Sequence, residues 1–225
     1  MSNKTVLITG AARHIGACIA RYLHAAGMDI VIHFNNSAFD AGSLATELNT
    51  TRPGSVVTVQ ADLLDEGTPM AVIKAAVDHN GHIDVLINNA SCFYPTPLNE
   101  ITVTDWDRFI NLNLRAPLFL SQMAADHLRG VNGCIINMTD IHAERPLKDH
   151  TLYSISKTGL LMLTKSLARE LGPEIRVNAI APGAILWPES MDEETKQQIL
   201  SRTSLLKPGK PEDVAKAVGF LINDA

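Results

Sequence analysis

Six short apolar runs rich in β-branched residues, most followed by a longer stretch of helical spacing, restrict this chain to very few folds. The runs cover 5–9, 29–33, 55–60, 83–87, 134–137 and 175–180. Most are apolar on both faces, which a strand tolerates when helices cover its sheet on either side, as in parallel sheets. Between them, 13–26 carries Ile15, Ile19, Leu23 and Ala26 at spacings of three and four, and Gly27 follows as a terminating residue. Segment 69–80 ends at Gly81 in the same way, and 104–129 opens with Thr104 three residues before Asp107, a capping-box spacing. Segment 152–171 stops at Gly172-Pro173, and 211–223 begins with Pro211 at a first helical position. Strand and helix alternating in this way predict an α/β fold. It is a single domain over 1–225: a Rossmann-type doubly wound parallel sheet with helices on both faces and ligands at the carboxyl ends of its strands.

A length of 225 residues, 46% of them hydrophobic, suits one such domain with a sizeable core. Net charge is −5 and no run of Lys or Arg stands out, so neither a nucleic-acid nor a membrane partner is expected. The apolar runs are strand-length and end in Gly, Asn or Asp, and the N-terminus enters the first strand at once from Lys4, leaving no room for a signal peptide. Cys18, Cys92 and Cys134 lack metal or redox spacing, which fits reduced thiols in a cytoplasmic protein. No metal site is expected either: His79 and His82 have no evident third ligand and read as solvated loop residues.

The turn Thr9-Gly10-Ala11-Ala12-Arg13-His14-Ile15-Gly16 follows the first strand and opens the first helix. Gly10 permits a sharp turn, the two alanines keep it small, and Gly16 lets helix and sheet approach. The helix N-terminus then favours a pyrophosphate. Many α/β domains need such a turn for topology alone. The second strand sharpens the reading, because it ends His33-Phe34-Asn35-Asn36-Ser37 with no acid to grip a ribose 2′-hydroxyl. A 2′-phosphate would meet Asn36, Ser37 and Arg13 instead, so NADPH is the expected cofactor. Beyond the third strand, Asp62, before Leu63, either hydrogen-bonds an adenine or caps a turn.

Tyr153 and Lys157 lie four residues apart at the start of a helix, hence one turn apart on one face. A phenol of pKa about 10 shuttles protons poorly near neutrality, and a neighbouring ammonium favours its ionised form. Such a pair also arises by chance on exposed helices. It gains weight beside the Gly turn, Asn88-Asn89-Ala90, Asn113 and the segment from Arg176 to Pro182-Gly183.

That set resembles the short-chain dehydrogenase/reductase superfamily over essentially the whole chain. The resemblance implies a nicotinamide cofactor, often a homotetramer, and roles for particular residues. Tyr153 is the proton donor, Lys157 holds the nicotinamide ribose and tunes Tyr153, and Asn113 supports a relay water. Asn89 and Ala90 lie along the cofactor, and Pro182, Gly183 and Ile185 face the nicotinamide carboxamide. Two departures carry information: the superfamily normally has Gly at His14 and Ser at Asp140. A carboxylate accepts hydrogen bonds but cannot donate one to a ketone unless protonated, so Asp140 suits a ring bearing N–H groups. A drifted or dead site is the blander reading.

The segment Asn89-Ala90-Ser91-Cys92-Phe93-Tyr94-Pro95-Thr96-Pro97 is similar to the pteridine reductases, as are 10–16, 33–38 and 135–140. In that family the aromatic matching Phe93 sandwiches a pterin against nicotinamide; offset stacking adds about 0.5–1.5 kcal/mol beyond burial. Loop-to-core packing is the commoner fate of a lone Phe. The resemblance also implies that Ser91 contacts phosphate and ligand. Hydride goes to carbon 6 of a dihydropterin or dihydrofolate, with a proton reaching nitrogen 5 through Asp140 and water. With an oxidised pterin, Tyr153 protonates nitrogen 8.

The match fails in places. The family usually has Arg at Asn36 and at His14, and Trp187 either walls the pterin pocket or anchors the turn at Pro188. Segment 189–210 reads as a mobile lid with a short acidic helix. The chain ends at Ala225, where the superfamily generally continues into a last edge strand. Two other functions remain open: a ketone or 3-oxoacyl reductase, and a non-catalytic NADPH sensor.

Overall fold

All six apolar runs enter one sheet. The structure is a computed structural model that describes residues 4–187 and 191–223. The strands are β1 (Thr5–Ile8), β2 (Asp29–Phe34), β3 (Val56–Gln60), β4 (Val85–Asn88), β5 (Cys134–Met138) and β6 (Arg176–Ile180). They pair in the order β3-β2-β1-β4-β5-β6, every pair parallel, with Val6 opposite both Ile30 and Val85. Side chains alternate between two cores. Val6 and Ile8 pack on the side of α1 (His14–Ala25) and α8 (Pro211–Asn223); Leu7 packs on the side of α3 (Thr68–Asn80) and α5 (Ala116–Arg129). The strand order reverses between β1 and β4, and that reversal opens a crevice at their carboxyl ends.

The remaining helices are α2 (Ala38–Thr51), α4 (Val103–Ile110), α6 (Thr151–Leu171) and α7 (Glu193–Ser201). Spacing does not predict α2. The single helix expected over 104–129 is instead α4 and α5 joined by a π-turn, Asn111–Arg115. Pro117 has no N–H to offer the carbonyl four residues before it, and a wider turn, with the Ala116 N–H on Asn111 O, absorbs that defect. The capping box is also displaced. Thr102 and Asp105 form it, with the Asp105 N–H on Thr102 Oγ1 at 3.1 Å, and Thr104 plays no part.

Helix α7 matches the expected short acidic helix, with Asp192 as its N-cap. Pro188, Glu189 and Ser190 lie outside the described residues, and with them the Pro188 turn and the start of the expected lid. So does the chain end at Ala225. Among the described residues no helix is long and apolar enough to cross a membrane.

Candidate active site

The crevice holds a cavity of about 1130 Å³, above the about 300–1,000 Å³ typical of small-molecule pockets. Gly10, Arg13, His14, Ile15, His33, Asn36, Ser37, Asp62, Leu63, Asn89 and Ala90 line it, together with Ser91, Phe93 and Trp187. Pro182, Gly183 and Ile185 do not, nor do Asn113, Asp140, Tyr153 and Lys157.

The turn after β1 is packed against its neighbours. Gly10 adopts φ 61°, and a Cβ there would stand 2.9 Å from the Ala90 Cα. A Cβ on Gly16 would stand 2.6 Å from Gly10 O, so α1 lies hard against the turn. Arg13 is the N-cap of α1 without a side-chain cap bond, and its carbonyl accepts the Ala17 N–H at 3.2 Å. The N–H groups before it sit at the cavity wall with no partner inside the helix. His14 takes φ 56°, a left-handed conformation that glycine adopts more readily, which accounts for the usual residue at this position. Arg13 lies 3.8 Å from Asp40 in an exposed pair.

His33 lines the cavity, but both of its ring nitrogens are taken up inside the fold. Its Nδ1 accepts the Gly10 N–H at 3.2 Å, so Nε2–H donates to Ala61 O at 3.1 Å. The buried ring therefore clamps the turn to the end of β3, with no nitrogen left for a ligand. Burial, foremost, pushes its pKa down to about 4. Asp62 Oδ1 accepts the Leu64 N–H at 2.9 Å, so the turn-cap reading describes its side chain while the residue still lines the cavity. Asn89 Nδ2 donates to Thr9 O and Gly10 O, tying β4 to the turn.

At the other end, Tyr153 and Lys157 face inward from the first turns of α6, both buried. Tyr153 OH donates to Asp140 Oδ2 at 2.8 Å, and Asp140 Oδ1 accepts the His142 N–H at 2.8 Å. Burial, then the Asp140 charge and that hydrogen bond, hold the phenol well above its usual pKa. The expected tuning of Tyr153 by Lys157 is thus outweighed here. Lys157 Nζ lies 5.6 Å from the Tyr153 ring centroid and donates to Met138 O at 2.8 Å. Burial brings its pKa down to about 8, against the pull of Asp140.

Asn113 also departs from expectation. It is fully buried; Oδ1 accepts from Ser91 Oγ and the Cys92 N–H, and Nδ2 donates to Ser156 Oγ and Cys92 O. Those bonds occupy the amide, so Asn113 anchors the 91–92 loop instead of holding a relay water.

Phe93 is half-exposed and meets Tyr153 edge-on, centroids 4.8 Å apart. Ile185 packs towards the core, while the neighbouring Leu186 and Trp187 line the cavity. That supports the wall reading of Trp187. Pro182 O accepts the Ile141 N–H, one residue beyond Asp140, so Pro182 and Gly183 sit next to the Asp140–Tyr153 end. Sequence reasoning missed His150, Arg108, Leu112 and Leu186. His150 lies three residues before Tyr153, a helical spacing that could have flagged it. The others carry no chemical signature. Of the two histidines read as solvated, His82 is half-buried and 3.2 Å from Asp84.

Residues 4–199 match the short chain dehydrogenase family. Pteridine reductase 1 of Leishmania tarentolae is 36% identical, over 96% of this chain and 88% of that protein. The 3-oxoacyl-acyl-carrier-protein reductase of Staphylococcus aureus is 33% identical, over 98% and 91%. Among solved structures, a blue fluorescent protein from a metagenomic library in complex with NADPH superposes with a TM-score of 0.92 at 35% identity. That match covers 98% of this chain and 91% of the other.

Proposed function

The chain belongs to the short-chain dehydrogenase family, and on that premise we propose that it is a cytoplasmic, NADPH-dependent pteridine reductase acting on a dihydropterin or dihydrofolate ring. The observation that carries the reading is what meets at Tyr153: the Asp140 carboxylate on its hydroxyl and the Phe93 ring against its edge. An ionised carboxylate bound to the phenol occupies the proton that a ketone oxygen would need. Ring N–H groups, by contrast, are what a carboxylate accepts from.

The residues at the far end fit a dinucleotide phosphate. Free N–H groups of α1 line the cavity beside Gly10 and His14, and the end of β2 offers Asn35, Asn36 and Ser37 with no carboxylate among them. Ser37 is the N-cap of α2 and makes no side-chain cap bond, so the positive end of that helix lies beside Asn36. This supports 2′-phosphate binding without the Arg that related enzymes carry at this place. Arg13 is shared with Asp40 and adds less.

When bound, NADPH supplies the hydride. Lys157, with its ammonium next to Tyr153, holds the nicotinamide ribose, and Asp62 and Leu63 flank the adenine. Pro182, Gly183 and Ile185 shape the nicotinamide end, Ser91 reaches phosphate and ligand, and Trp187 walls the pocket. Phe93 supplies a flat apolar surface for the substrate ring. Asp140 accepts its N–H groups and relays a water proton to nitrogen 5; once those N–H groups take up the carboxylate, the Tyr153 hydroxyl is released from Asp140 and protonates nitrogen 8 of an oxidised pterin. The chain's main contribution is orientation, which counts for much when two flat rings must meet face to face. A homotetramer fits the apolar side chains left exposed on α5 and α6.

Parallel assays of NADPH oxidation with dihydrobiopterin, dihydrofolate and an acetoacetyl thioester test the reading. A pterin or folate is expected to exceed the thioester in kcat/KM by about 100-fold or more. Preference for the thioester would instead make the protein a carbonyl reductase, the reading that the Staphylococcus aureus relative favours. Tight NADPH binding with no turnover of any of the three would make it a sensor.

A further inference from the structure

Phe93 is the flat surface of the site, yet its own loop does little to fix it. The cluster formed by Phe109, Leu152 and Tyr153 takes in its neighbours Cys92 and Tyr94, while Phe93 stays 49% exposed. A half-exposed Phe has several staggered rotamers open to it, and a stacking ligand loses affinity if it must freeze that freedom. The His150 ring supplies the missing restraint. It lies parallel to Phe93, centroids 4.7 Å apart and 19° between planes.

His150 is itself held from three directions. It is the N-cap of α6, directly after Asp149 at φ 58°. Its Nδ1–H donates to Lys148 O at 2.9 Å, which orients the ring. Thr96, three residues past Phe93, pairs with His150 in a parallel bridge, and the Thr96 N–H donates to Asp149 O. Phe93 lines the cavity, and the stacked histidine covers one face of its ring.

We propose that His150 is a positioning residue: it backs Phe93 from behind, so that the opposite face of Phe93 is presented, already ordered, to a flat heteroaromatic substrate. Its ring stacking does this, and its proton is not needed. The proposal rests on the pterin reading of the site.

Kinetics of His150→Ala and His150→Phe test it, with NADPH affinity measured alongside. The alanine variant is expected to raise KM for dihydropterin about fivefold while kcat moves less than about twofold, in line with the loss of one stacked pair. NADPH affinity should stay unchanged, and His150→Phe, which keeps a ring, should restore KM. Unchanged KM in the alanine variant, or no rescue by phenylalanine, would overturn the proposal.

A second readout needs no substrate. In the free protein the His150 Cε1–H resonance should carry an aromatic ring-current shift that disappears in Phe93→Leu. Absence of that shift removes the backing role whatever the turnover. A clear shift in a protein that turns over no pterin removes the substrate reading and leaves the stacked pair standing.

Discussion

His33 carries a pH dependence that follows from its two hydrogen bonds. Only the neutral ring can accept the Gly10 N–H, and burial drives its pKa from 6.5 down to about 4. As pH falls, the unfolded histidine takes up its proton near 6.5, whereas the folded one resists until about 4. The unfolded state then binds more protons, so stability is full above that window and declines as pH drops through it. Between pH 7 and pH 5 the loss from this one group is about 2 kcal/mol. Urea midpoints at the two pH values should show it, and His33→Gln should flatten the difference; equal pH dependence in both proteins would mean that His33 is not responsible. Sequence placed His33 at the end of β2 and next to the cofactor turn, but did not show that both of its nitrogens are spent inside the fold. A hydrogen bond to a residue 23 positions earlier leaves no local trace in the chain. Asn113 was misread for the same reason. The Tyr153–Asp140 contact could be anticipated because family resemblance, and not spacing, brings two residues 13 apart to one site.

At the scale of elements, among the described residues, all six strands and six of the eight helices, with α4 and α5 read as one, were legible as periodic apolar runs, because burial on a fixed face imposes that period. α2 was not. Only Ala41, Leu44 and Leu48 are buried along it, its large aromatic Phe39 points outward at 85% exposure, and Asn, Ser, Thr and Gly dilute its helical propensity. Packing over β2 and β3 decides it, and packing is not written in local sequence. The reverse holds for α1, where one glycine sets how closely the helix approaches. A methyl at Gly16 would stand 2.6 Å from Gly10 O, 2.8 Å from Ala11 Cα and 2.8 Å from Asn89 Nδ2. Two of those three atoms are backbone, so neither can swing aside. Gly16→Ala is therefore expected to cost about 1–3 kcal/mol in stability by overpacking, although alanine is the better helix former. It should also weaken NADPH binding, since the cofactor turn moves with the helix. Thermal unfolding with and without NADPH measures both, and a stabilised variant with intact binding would show that α1 has slack.

For the molecule as a whole, the doubly wound order gathers chemistry at one edge of the sheet and leaves the outer helices free for other work. α5 and α6 pack side by side on one flank. Their inner faces fill the core through Leu120, Leu128 and Leu160, yet Leu118, Phe119, Ile155 and Met162 remain exposed, Met162 at 62%. Isolated apolar residues on a surface need no explanation, but four large ones exposed on two neighbouring helices make this flank a candidate contact with another chain. A twofold interface would set this flank against the same flank of a second copy. The Tyr153–Lys157 helix would then lie at the interface, and association would stiffen the element that carries the Tyr153 phenol. Light scattering should find an oligomer in the wild type and a smaller species in the double variant Phe119→Glu, Met162→Glu, because burying two new carboxylates in an apolar contact is strongly unfavourable. The smaller species should retain helical signal but unfold at lower temperature, having lost the mass-action contribution of its partners. A wild type that is already monomeric would leave this flank an ordinary apolar surface and remove the homotetramer from the account of the protein.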